Sequence, residues 1–200
     1  MKKGFKSIGL GLILVFASSL TLQAQKAKNW NVDKSHASVN FSIDHFFSAV
    51  TGKFKNFSGD VVFDPSDLKG SKVSFEIQVN SISTDDEERD HHLQSEDFFA
   101  AEKYPTIKFV STGFTKVSDN EFTVTGKLTM RGVTKTITLP LKVTGRMANP
   151  WKEGYEILGV SIKTALDRTD YEVGTGSWAA TSVVGDEVTI SISMELDAKI

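Results

Sequence analysis

Hydrophobic and polar residues alternate along most of this chain. "SVNFSI" (38–43) sets Val39, Phe41 and Ile43 against Ser38, Asn40 and Ser42. "KVSFEIQVNSI" (72–82) sets Val73, Phe75, Ile77 and Val79 against Ser74, Glu76, Gln78 and Asn80. "EVTISISMELD" (187–197) does the same with Val188, Ile190, Ile192, Met194 and Leu196. A period of two puts one set on a wet face and the other on an apolar face of a strand. Segments 52–64, 106–117, 121–130, 135–145 and 155–166 are rich in β-branched and aromatic residues and read the same way. Turn-forming clusters separate them: "DPSDLKG" (64–70), "SDN" (118–120), "RG" (131–132), "MANPWKEG" (147–154) and "TGSW" (175–178). The pattern predicts eight long strands joined mostly by short turns.

Residues 83–104 break the rhythm and predict a helix between the third and fourth strands. Ser83 or Thr84 is placed to cap its start, and Asp85, Asp86, Glu87 and Glu88 crowd its first turn, where acid complements the unpaired N–H groups.

Eight antiparallel strands, each with one apolar face, hide their edges by closing into a barrel. The fold class expected is therefore all-β, an eight-stranded antiparallel barrel with one short helix between strands three and four. Its apolar face is aromatic: Phe41, Phe54, Phe63, Phe75, Phe109, Phe114 and Phe122 all fall on strands. Such a face either fills the interior or lines a lumen that holds an apolar guest. The same alternation would suit a membrane barrel with its apolar face outward. Glu76, Lys108, Lys127, Lys142, Lys163 and Glu195 stand mid-strand on the polar face, and a water-facing outer wall accepts them more readily than a narrow lumen does.

The first residues read as a leader rather than as part of this pattern. Lys2, Lys3 and Lys6 precede an apolar run from Ile8 to Leu22, and Ala24 follows. This predicts a secretory signal peptide over 1–24 and a single domain over 25–200, in the periplasm or secreted. The run is short of the ~20 apolar residues a membrane span needs. The chain has no cysteine, which excludes disulfides, thiol catalysis and thiolate metal sites. Loss of three leader lysines takes the net charge from −2 to −5, so no electrostatic footprint for nucleic acid is present.

The densest chemistry lies in "RDHHLQSEDFF" (89–99). On a helix Glu88, His92 and Glu96 would share a face, and with His45 or Asp97 they would make a ligand set for zinc or iron. Against this, charges four apart are ordinary on a solvated helix, and no H-E-x-x-H motif is present. No G-x-S-x-G elbow occurs. Asp167 and Asp170 flank Arg168 and predict an ion-pair network. His45, Arg89, His92 and Arg131 fall near strand ends or on the helix, where they could receive a polar head group at the barrel mouth, or simply tie the helix down.

Several segments resemble the YceI-like, polyisoprenoid-binding family. They are "WNVDKSHASVNFSIDHFFSAVTGKFKNFSGDVVFDP" (30–65), "RDHHLQSEDFFAAEKYPTIKFVST" (89–112), "VTGKLTMRGVTKTITLPL" (124–141), "DRTDY" (167–171) and "VGDEVTISISMEL" (184–196). Together they span nearly the whole chain after the leader. The resemblance implies an extended, lipocalin-like barrel, exported from the cytoplasm, whose pore holds a long isoprenoid or other lipid chain. Two places depart from the family's habit: Asp44 precedes His45 where Arg is common, and Tyr171–Glu172 follows Asp170 where Phe–Gly is common.

The reading reached is a non-enzymatic carrier of a long apolar chain, an isoprenoid, isoprenoid quinone or fatty-chain lipid, bound without cofactor or metal. The pore-lining residues expected are Phe41, Ile43, Phe54, Phe75, Ile77, Leu93, Phe98, Phe99, Phe109, Leu128, Met130 and Leu139. The lipid is the expected partner, with no nucleic acid, no lasting membrane insertion and a homodimer left open. The alternatives are a metal-dependent or hydrolytic enzyme using 88–97, and a filled-core structural domain.

Overall fold

A computed structural model describes residues 27–179 and 182–200; the leader expected over 1–24 lies outside them. The strands are β1 (Lys28–His45), β2 (Ser48–Phe54), β3 (Phe57–Phe63), β4 (Lys72–Gln78), β5 (Ile82–Ser83), β6 (Thr106–Lys116), β7 (Glu121–Met130), β8 (Val133–Ala148), β9 (Tyr155–Asp167) and β10 (Val184–Lys199). One α-helix, α1 (Glu87–Gln94), sits between β5 and β6. All pairings are antiparallel. Neighbours run β10-β9-β8-β7-β6-β4-β3-β1, and β1 pairs with β10 to close the ring. This is an eight-stranded barrel without a free edge around its lower half.

The strand predicted over 52–64 is broken at Lys55 and Asn56. Their N–H groups leave the ladder for the Ser81 carbonyl and hydroxyl, each at 3.0 Å. The result is two strands, β2 and β3, laid end to end along the 18-residue β1. β1 itself carries a bulge between Asp33 and Ala37.

The helix is shorter than predicted, eight residues rather than 83–104. Its cap is Asp86, whose carboxylate accepts from the Arg89 N–H at 3.0 Å. Thr84 serves elsewhere: its N–H and hydroxyl both donate to Asp90, at 2.7 and 2.6 Å. At the far end the Ser95 hydroxyl donates to the His92 carbonyl at 2.8 Å, and the chain turns away.

The apolar face points inward on every strand of the ring. The outer wall carries the charges, with Lys108 paired to Glu76 at 3.0 Å and Lys127, Lys142, Lys163 and Glu195 exposed. The membrane-barrel alternative, apolar face outward, is thereby reversed. No helix of the described residues is long and apolar enough to cross a membrane.

One end of the barrel is shut. Trp30, Phe63, Phe122, Leu158 and Leu196 are all at most 2% exposed and form a floor. The Phe63 ring meets Phe122 edge-on at 5.5 Å, and the Trp30 indole N–H donates to the Phe63 carbonyl at 2.8 Å. Beneath them Glu156 is held by Lys28 and by both nitrogens of an Arg146 fork, at 2.7 and 3.0 Å. The Arg146 guanidinium also lies 5.7 Å from the Trp30 ring.

Candidate functional site

Above the floor the inward side chains stop meeting at the centre. Along β10, Met194, Leu196 and Ala198 are buried, whereas Ile192, Ile190, Val188 and Val184 are only half-buried although they face inward. The space between them is a lumen in two chambers. The lower, about 110 Å³, lies among Phe63, Val73, Phe114, Val124, Leu141 and Met194. The upper, about 190 Å³, runs to Ile43, Val184 and Val188 at the rim. Phe75, Phe109, Leu139, Ile162 and Ile192 border both and make a waist between them. The eleven residues from Val184 to Met194, ten steps of about 3.3 Å, span about 33 Å of strand, or about 25 Å along a barrel axis at ordinary tilt.

The wall of this lumen is carbon. Asn40, Thr164, Asp167 and Arg168 border the upper chamber, but their polar atoms turn away from it. All twelve predicted lining residues lie on the wall of the upper chamber: Phe41, Ile43, Phe54, Phe75, Ile77, Leu93, Phe98, Phe99, Phe109, Leu128, Met130 and Leu139. The helix and the turn after it supply Leu93, Phe98 and Phe99, with Phe99 set edge-on to Phe54 at 6.1 Å.

What keeps the lumen open is a feature the sequence pattern did not single out. Gly52 is the direct cross-strand partner of Phe41, and Gly59 that of Phe75. Each aromatic ring lies across its glycine, flat against the wall. A Cβ on Gly59 would stand 2.5 Å from the Phe75 ring, and one on Gly126 would stand 2.5 Å from that of Phe109. A glycine on an inward position thus makes room for a large ring to fold aside.

The four cationic candidates do not border the lumen. Arg89 donates through Nε to the Thr84 hydroxyl at 2.7 Å and through Nη2 to the Thr84 carbonyl at 3.0 Å, with Asp86 3.6 Å away. His92 meets Asp97 at 2.9 Å and packs edge-on against Phe98 and Trp178 at 5.1 and 5.0 Å. Arg131 donates to the Glu172 carbonyl and, at 2.6 Å, to the Glu96 carbonyl. His45 is half-buried beside Phe46. These contacts tie Arg89, His92 and Arg131 to the turns at this end of the barrel.

Arg168 does not form the ion-pair network that its sequence neighbours predict. Instead of pairing with Asp167 and Asp170, its buried guanidinium donates to the carbonyls of Val173, Gly174, Trp178, Val184 and Gly185, at 2.7–3.4 Å. Burial pulls its pKa down, but a guanidinium keeps its proton in proteins. Asp167 turns to Thr169, whose hydroxyl bond holds its carboxyl below the usual range. Asp170 pairs with Lys135. Thr175 N–H reaches back to the Asp97 carbonyl at 2.8 Å, and Trp178 packs on Phe98 at 5.6 Å. The segment 168–179 and the α1 turn therefore form one cap over the upper chamber.

The ligand set imagined on the helix does not assemble either. α1 ends at Gln94, so Glu96 leaves the face of Glu88 and His92. Among the described residues, the metal-ligating atoms that do cluster are those of Asp33, His36 and Glu195 on the outer wall. The His36 Nδ1 bonds Asp33 at 2.8 Å, which raises the His36 pKa and lowers that of Asp33.

A closed antiparallel barrel with a carbon-walled lumen, capped by one short helix and an arginine-knit loop, defines a class of barrels built around an internal apolar space. The chain belongs to the YceI family: the YceI-like domain model matches residues 30–196. It is 37% identical to Protein YceI of Salmonella agona over 184 residues, 90% of this chain and 93% of that protein. Burkholderia cenocepacia BcnA shares the fold at a TM-score of 0.72 and 30% identity, covering 84% of this chain and all of that one. A polyisoprenoid binding domain from Saccharophagus degradans, implicated in plant cell wall breakdown, shares it at a TM-score of 0.63. At 15% identity, over 86% of this chain, that last similarity speaks for the fold alone.

Proposed function

We propose that this protein holds a single long apolar lipid chain, an isoprenoid, isoprenoid quinone or fatty-chain lipid, in its lumen, and carries, stores or sequesters it outside the cytoplasm. The observation that carries this reading is the carbon wall of a two-chambered lumen running from the floor at Phe63 and Leu196 to the rim at Ile43 and Val184. A guest there gains by leaving water, and the wall asks nothing of it but length and width. Burying about 400 Å² of its apolar surface is worth ~10 kcal/mol gross at ~25 cal/mol per Å², before ordering losses. Selectivity on this reading is set by bore and length. The ligand class named for the Saccharophagus domain supplies the first probe to try. The leader expected over 1–24 delivers the barrel to the periplasm or beyond.

The test is direct. Purified protein is stripped of lipid, reloaded with a polyprenyl quinone or a long-chain fatty acid, and weighed by native mass spectrometry. One lipid per chain is expected; retention of neither overturns the reading.

A further inference from the structure

The turn between β1 and β2 is built from two residues that turns of this length disfavour. His45 pairs with Ser48, so Phe46 and Phe47 alone make the loop. Two-residue hairpins need positive φ and favour Asn and Gly. The comparable β7–β8 turn has a non-glycine, Arg131, at φ +48 in its first place but follows it with Gly132, at φ +79, and carries no aromatic residue. Here Phe46 sits at φ +50, a strained place for an aromatic residue. The backbone is pinned there, since the Phe46 N–H donates to the Val183 carbonyl at 3.0 Å and the His45 ring stands against Phe46 at 4.7 Å. Both rings point to solvent, 59% exposed for Phe46 and 103% for Phe47. Turn chemistry and burial are violated together: the Val183 bond and the His45 ring hold Phe46 in place, yet both rings stay largely uncovered. Such conflicts mark places held for another purpose.

Position suggests the purpose. Ile43 and Val184 are the last lumen-lining residues of β1 and β10, and Val184 pairs with His45. The two rings therefore project just past the rim of the upper chamber. Residues 48–51 bear no charge, and those around the tip on β1 and at the start of β10 are carboxylates: Asp44, Asp186 and Glu187. That border disfavours an anionic surface and suits a neutral one. Aromatic rings settle where hydrocarbon meets head groups.

We propose that Phe46 and Phe47 seat the rim of the barrel on a zwitterionic lipid surface, from which the apolar chain enters the lumen. This rests on the carrier reading above. Seating of this kind is shallow and reversible, and because it works through apolar contact it survives high salt.

The experiment uses the purified protein, an F46S/F47S double variant and a W151S control, Trp151 being 91% exposed on the β8–β9 turn at the opposite end. A fluorescent polyprenyl probe is supplied either in phosphatidylcholine vesicles or by dilution from detergent. Relative to wild type, the double variant is expected to take up vesicle probe at least tenfold more slowly and to stop floating with the vesicles. Its detergent-delivered binding should stay within twofold, and W151S should match wild type throughout. Wild-type flotation should persist in molar salt. The proposal is overturned if the double variant draws probe from vesicles at the wild-type rate, or if binding needs anionic lipid and disappears with salt. It is overturned too if the double variant only converts a dimer to a monomer, which would make the patch a contact between two copies. If wild type binds no probe even from detergent, the carrier reading falls instead, and flotation alone decides the anchor.

Discussion

Gly59 and Phe75 face each other across β3 and β4, and the Phe75 ring occupies the place a Gly59 side chain would take. The pairing lets a large aromatic residue belong to the wall without blocking the lumen. Gly59→Ala should force that ring toward the waist, where Phe75 borders both chambers. Overpacking of this kind costs about 1–3 kcal/mol. We expect weaker retention of a polyprenyl probe by roughly tenfold, about 1.4 kcal/mol, with the barrel still folded by circular dichroism. The double change Gly59→Ala/Phe75→Leu should restore much of the loss. Unaltered affinity in the single variant would show that the ring does not set the bore.

The same pair shows what the sequence makes legible and what it does not. Alternation reports the face of each side chain, so Phe75 could be assigned to the interior and the eight-stranded ring could be drawn. It says nothing of a residue that lacks a side chain, and the role of Gly59 exists only through its partner on another strand. Arg168 was opaque for a related reason. Its partners are backbone carbonyls up to 17 positions further on, whereas the carboxylates beside it in sequence advertised an ion pair. The helix ends are faint in the sequence because acids at 85–88 mark a start without choosing Asp86, and nothing in 95–104 announces that Ser95 will end it.

Arg168 should prove a structural keystone. Its fork reaches carbonyls on both sides of the cap and on the first residues of β10. Lysine keeps the charge but has a single point of donation. Arg168→Lys is expected to lower unfolding free energy by about 2–4 kcal/mol, as several buried carbonyls lose a charged donor. Urea melts measure this, and a loss under about 0.5 kcal/mol, the range of ordinary surface changes, would refute it.

The cluster that looked most like chemistry should matter less for its histidines than for its phenylalanines. Phe99 is half-buried on the lumen wall against Phe54, whereas His91 is exposed. Phe99→Ala should destabilise by about 1.5–3 kcal/mol, below the cost of a fully buried ring, and should weaken probe retention. His91→Ala should stay within about 0.5 kcal/mol and leave retention unchanged. The reverse ranking in paired melts and binding assays would return the weight to the charged half of the motif.

The floor gives the fold a dependence on acid. Glu156 is bonded by the Arg146 fork, and Lys28 adds a second cation, so its carboxyl titrates below the usual glutamate value even though burial opposes this. A carboxyl whose folded pKa lies below its unfolded one binds its proton more readily when the chain is open. Its contribution to stability is therefore complete above the unfolded value, near 4.5, and fades as pH falls from there through the folded value. Glu156→Gln should cost about 1–3 kcal/mol at neutral pH, where it strips a charged partner from two cations. As pH falls below about 4.5 the gap between the two proteins should narrow, because the wild-type contribution is then being lost. Urea midpoints at neutral and acid pH measure the difference. A gap that stays constant as pH falls would mean that Glu156 holds the floor by shape rather than by charge.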